Sequence, residues 1–175
     1  MVSLGLSLSL GSLATSGRLG ELLGGGGGGG GGFAGAERWR LVIDSVWAST
    51  GFDPRELYFM DDSNTRQLPG NGTTVSVSSQ YPGDLIAYAF DNNINTRFGT
   101  DFSGTWPQWV EMDFGAVKKK ITKVIIYLGE SSSRNFSDGK IQYWNGTDWV
   151  TTDTYTDVHN YTFDVPLELT VTLPT

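Results

Sequence analysis

The chain has 175 residues, a formal net charge of −7 and no cysteine. The acidic balance argues against a nucleic-acid binder, which needs a basic face to neutralise phosphates, and against docking on anionic lipid. Without cysteine there is neither a disulfide framework nor a thiolate metal site, and no run of about 18 apolar residues is present to span a membrane as a helix.

Residues 1–23 form an arm in which Val2, Leu4, Leu6, Leu8 and Leu10 alternate with Ser and Gly. A period of two gives an extended strand one apolar face and two unpaired edges, which is unstable alone and gains order by adding to a partner's sheet. A low-complexity tail is the competing reading, and the high leucine density favours the docking strand. The nine glycines Gly24–Gly32 follow, either a flexible spacer or an extended polyproline-II-like strand. The leucines are interrupted too often for a signal-peptide core, and no positive n-region precedes them. Met1 is therefore expected to start the mature protein.

Residues 33–175 have the size of one domain, and their pattern is that of strands. Trp39, Leu41 and Ile43 alternate with Arg40, Val42 and Asp44, and Leu57 and Phe59 with Tyr58 and Met60. Val75 and Val77 follow a Pro69-Gly70-Asn71-Gly72 turn, and an alternating run from Trp109 stops at Phe114-Gly115. Lys118, Lys119 and Lys120 are expected in a solvated turn before Ile121. Ile121–Leu128 is nearly continuous, as for a strand buried on both faces. Ile141–Trp144 turns at Asn145-Gly146 into Trp149-Val150, a strong hairpin signal. Tyr161–Phe163 and Leu167–Leu173 supply closing strands. Many short strands with turns between them predict an all-β sandwich.

Within that pattern, Ala89-Phe90-Asp91-Asn92-Asn93-Ile94-Asn95-Thr96-Arg97-Phe98 resembles the signature of discoidin-like domains. These are also known as coagulation-factor type C domains or family 32 carbohydrate-binding modules, and have a galactose-binding jelly-roll fold. Gln108–Gly115, Ile121–Ile126 and Gly139–Trp149 resemble the family's next strands in order and spacing, over about 89–150. Asn92 stands where the family usually has Gly, and Phe98 where it has Trp. Arg38–Ile43 and Arg55–Phe59 look like the strand pair that usually closes such a domain, but come first here. The resemblance thus implies a discoidin-like jelly-roll β-sandwich with circularly permuted strand order, behind an N-terminal arm and a polyglycine linker. That arrangement is similar to modules of tailed-phage virion proteins. Trp109 and Trp149 match core positions of the family, and Trp39 is expected to pack as well.

Two sites are expected. Asp91, Asn93 and Thr96 lie within six residues on a turn-prone segment, so one loop can wrap a hard cation with oxygen ligands. The resemblance implies that Glu56 completes a structural calcium shell. Alternatively, Asp91 and Asn93 only cap a turn through Asx hydrogen bonds. A glycan site needs an aromatic surface and a few oriented polar groups. Tyr88, Phe102, Trp106 and Arg134 fall in or beside loops, with Asp101 and Asn135 as hydrogen-bonding candidates. Trp106, before Pro107, is the foremost of them, although each loop aromatic can equally pack.

Enzyme chemistry has little support. The single histidine, His159, has no nucleophile motif beside it, and the adjacent Asp61 and Asp62 point apart on a turn rather than facing across a glycosidic bond. The expected function is a non-enzymatic virion structural protein of a tailed phage, made in the host cytoplasm without a signal peptide. Its arm docks on other virion proteins, and the sandwich faces host-surface glycans, with several copies in a homo-oligomer adding avidity. The alternatives are a free or enzyme-appended bacterial carbohydrate-binding module, or a connector without ligand.

Overall fold

A computed structural model describes residues 32–103, 105–129, 132–158 and 165–175. The docking residues Val2, Leu4, Leu6, Leu8 and Leu10, nearly all of the glycine run, the strand expected at Tyr161–Phe163 and His159 lie outside the described residues. The described residues belong to one compact unit, Gly31–Thr175.

Nine strands are described: β1 (Arg38–Val46), β2 (Glu56–Asp61), β3 (Arg66–Gln67), β4 (Thr74–Val77), β5 (Gln108–Asp113), β6 (Ile121–Tyr127), β7 (Phe136–Trp144), β8 (Trp149–Tyr155) and β9 (Leu167–Thr170). They form two sheets, in the orders β4-β5-β1-β7-β8 and β3-β2-β6-β9. Every pairing is antiparallel. The result is an all-β jelly-roll sandwich. The two front strands occupy inner positions, β1 between β5 and β7, and β2 between β3 and β6.

Alternation in each strand turns one face inward. Trp39, Leu41 and Ile43 of β1 meet Leu57 and Phe59 of β2 in a core shared with Val110, Met112, Ile121, Val124, Ile126 and Ile141. Trp39 is fully buried, and its indole N–H donates to the Lys119 carbonyl at 2.9 Å, which removes the cost of hiding a lone donor. Phe52, Phe90 and Phe98 close the core from the connections, and Phe136 from the start of β7. Phe98 is fully buried and fills its position without the larger indole of the family signature.

Three expectations change. Trp109 and Trp149 are not in the core: in β5 the buried apolar residues are Val110 and Met112, so half-buried Trp109 alternates to the outer face. Trp149 lies on the outer face beside Trp144, 5.6 Å between ring centroids, beneath the guanidinium groups of Arg40 (4.1 Å) and Arg38 (5.0 Å). Arginine stems and planar heads cover these indoles where a second layer of protein would otherwise be needed. Strand β6 is buried on one face only, through Ile121, Val124 and Ile126, while Ile125 and Tyr127 are half-covered. Strand β9 stops at Thr170 rather than running on to Leu173.

The hairpin between β7 and β8 does turn at Asn145-Gly146, as a four-residue loop. The Asn145 side-chain oxygen accepts from the Thr147 and Asp148 N–H groups, both at 2.8 Å. Lys118–Lys120 precede β6, with Lys119 3.5 Å from Asp61.

Candidate functional site

Three connections meet at one end of the sandwich: 47–55 between β1 and β2, 78–107 between β4 and β5, and 128–135 between β6 and β7. Backbone hydrogen bonds tie them together. Segment 98–100 runs along 52–54 through Phe98 N–H to Pro54 O (3.0 Å) and Thr100 N–H to Phe52 O (2.9 Å). Trp47 N–H donates to Asn135 O at 3.1 Å. Loops pinned in this way present side chains from a stiff scaffold, as binding loops require.

The loop at 91–97 follows a 3₁₀ turn, Ile86–Phe90, whose Ala89 and Phe90 are buried and so fix its start. Asn92 has φ 60°, the left-handed conformation that glycine takes at no cost and asparagine at little. Asparagine therefore suits this turn, at the position where the resembling signature has Gly. The structure brings the four residues expected around calcium together. The Asn93 N–H is shared at 2.8 Å by Glu56 Oε1 and Asp91 Oδ1. Thr96 Oγ1 lies 3.0 and 2.8 Å from the two Asp91 oxygens and 2.7 Å from the Asn93 carbonyl. One hydroxyl proton serves only one of these three acceptors. Burial, partly offset by Arg66 and the Asn93 N–H, raises the pKa of Glu56, and neighbouring Asp91 adds to the rise. Oxygens facing oxygens, with two carboxylates among them, match what a hard cation needs. The Asn93 side chain turns instead to Asn95, whose N–H it accepts at 3.2 Å, so Asn93 offers its carbonyl rather than its amide.

The residues expected at a glycan site divide into groups. Tyr88 lines a cleft of about 390 Å³ together with Arg55, Asp84, Asn95, Thr96 and Arg97. Phe102 does not line it. Its ring lies against the Gly51 backbone, where a Cβ would come within 1.8 Å of Cδ1. It also stacks under the Arg134 guanidinium at 4.4 Å and beside Tyr81 at 4.8 Å. Trp106 packs against the core. Asp101 is exposed, and its N–H donates to Ser79 Oγ at 3.1 Å. Asn135 is buried, and its Oδ1 has no hydrogen-bond partner.

Between these groups sits Asp53, wholly buried. Its Oδ2 is 3.2 Å from Arg134 Nη1 and 3.8 Å from Arg97 Nη1, and Arg97 Nε is 3.5 Å from Asp84 Oδ2. Burial pushes the Asp53 carboxyl up to about 6, against the pull of both arginines. Asp84, Arg97, Arg55 and Asn95 line the cleft without having been singled out in the sequence. Arg97 lies inside the signature-like segment, the one local signal that could have found it. Trp47, about half exposed, lies on the same loop end.

A family model described as a NedA-like, galactose-binding domain matches residues 88–172. The match supports a discoidin-like, galactose-binding-like domain, a class that typically serves as a non-catalytic binding module. It takes in β5 to β9, whereas β1 to β4 precede it in the chain. No curated protein and no solved structure matches the chain.

Proposed function

We propose that the protein is a non-enzymatic glycan-binding sandwich whose cleft beside the 91–97 loop takes one sugar residue. The observation that carries this reading is the Asp84–Arg97 pair, 3.5 Å apart, beside Tyr88 in a cleft of about 390 Å³. A carboxylate and a guanidinium side by side supply the acceptor and donors that neighbouring sugar hydroxyls require, and a tyrosine ring supplies an apolar face. Glu56, Asp91, Thr96 and the Asn93 carbonyl would hold calcium. The ion would supply charge neutralisation between the two carboxylates beside the cleft.

The setting we infer is a tailed-phage virion. What supports it is the alternating arm Val2–Leu10 and the glycine run ahead of a sandwich with permuted strand order. The arm would dock on another virion protein, and several copies would add avidity. Titration calorimetry with galactose and a panel of neutral glycans tests the site. Asp84→Asn and Arg97→Met should each weaken binding about tenfold or more, whereas unchanged affinity in both variants would remove the cleft from consideration. Deleting residues 1–32 should abolish particle incorporation and leave sugar affinity intact. A truncated protein that still assembles would overturn the docking role of the arm.

A further inference from the structure

Arg66 opens the two-residue strand β3, beside β2. Its side chain is 16% exposed, and its Nη2 lies 2.5 Å from Glu56 Oε2, a carboxylate that is itself only 2% exposed. The guanidinium stacks on Tyr58 at 3.6 Å, and Nη1 donates to Asn92 Oδ1 at 3.3 Å. Its Nε is buried without an acceptor. A position chosen for hydrogen bonding would not leave a buried N–H orphaned. What this position does provide is a fixed positive charge at the outer oxygen of Glu56, while the inner oxygen faces Asn93 and Asp91.

We propose that Arg66 is the resident cation of this loop: it balances Glu56 from the outer side and ties Asn92 to β3, so that segment 91–97 keeps its fold without a divalent ion. Calcium at the inner oxygens then adds to an already folded loop instead of creating it, and a guanidinium one carboxylate away lowers the affinity for the ion. The charge-balancing role stands on the Arg66–Glu56 geometry, and only the part concerning calcium rests on the proposed cation site.

Thermal unfolding of the full chain tests this, for the wild type, Arg66→Met and the double variant Arg66→Met/Glu56→Gln, each in EDTA and in millimolar calcium. The wild-type Tm in EDTA should stay within about 2–3 °C of its value in calcium. Arg66→Met, which keeps the apolar stem but leaves a buried carboxylate unpaired, should lose roughly 10 °C in EDTA. The double variant should recover most of that loss, because the uncompensated charge is gone. A purely structural role of the arginine stem would show no such rescue.

A wild-type protein that collapses in EDTA, or a double variant no better than Arg66→Met, would overturn the proposal. Partial recovery of Arg66→Met by calcium supports both the proposal and the cation site. If Glu56→Gln rescues Arg66→Met and calcium does not, the proposal holds for Arg66 and the calcium reading falls.

Discussion

Asp53 sets two large effects against each other, and its pH response decides between them. The carboxyl is wholly buried, which disfavours the charged form, while Arg134 and Arg97 at 3.2 and 3.8 Å favour it. Burial prevails, with the carboxyl pushed up from 3.8 to about 6. Between these two values the folded protein holds a proton that the unfolded chain has released. Stability therefore falls as pH rises through the window, and is steady above about 6. The difference of about 2 units corresponds to roughly 3 kcal/mol over the whole window. Other groups titrate in the same range, so the measurement is a comparison with Asp53→Asn, which cannot ionise. Urea unfolding of both proteins at intervals from pH 4 to 7.5 should show the wild type losing roughly 3 kcal/mol relative to the variant. A constant difference would mean that the carboxyl is not shifted. A wild type that gains on the variant with rising pH would mean that the arginines outweigh burial, and would refute the reasoning.

Gly139 sits in β7 where an added Cβ would come within 2.2 Å of the Val42 carbonyl and 2.6 Å of the Phe136 ring. Backbone cannot give way as a side chain can, so Gly139→Ala should cost roughly 3 kcal/mol or more in chemical denaturation. Asn92→Gly and Asn92→Ala both remove the bond from Arg66, but Asn92→Ala should be the less stable of the two by about 1–2 kcal/mol, the penalty of a Cβ at positive φ; equal Tm values for the two would show that the left-handed turn is unimportant. Arg40→Ala uncovers Trp149, and should red-shift tryptophan emission and cost about 1 kcal/mol; unchanged emission would count against the stacked outer face.

Much of the fold is legible in the sequence alone, because strand periodicity is a local record of burial. The alternation at Trp39–Ile43, Leu57–Phe59 and Trp109–Phe114 appears as β1, β2 and β5, and the Asn145-Gly146 signal as the β7–β8 turn. The grouping in the 91–97 loop is legible for the same reason: Asp91, Asn93 and Thr96 are near in sequence, and only Glu56 had to come from a family resemblance. Alternation, however, separates two faces without saying which one is inward. Trp109 and Trp149 lie outward because β1, packed between β5 and β7, sets the neighbours and register of the five-stranded sheet. The cleft was hidden for a related reason. Asp84 and Arg97 meet because the chain returns on itself through Gly99 N–H to Asp84 O, and Arg97 reaches Asp53 because segment 98–100 runs along 52–54. Arg66 carries no local signal at all, since its partner lies on the neighbouring strand. Periodicity reports which residues a strand hides, and only the tertiary pairing of strands and connections decides which distant charges are hidden together.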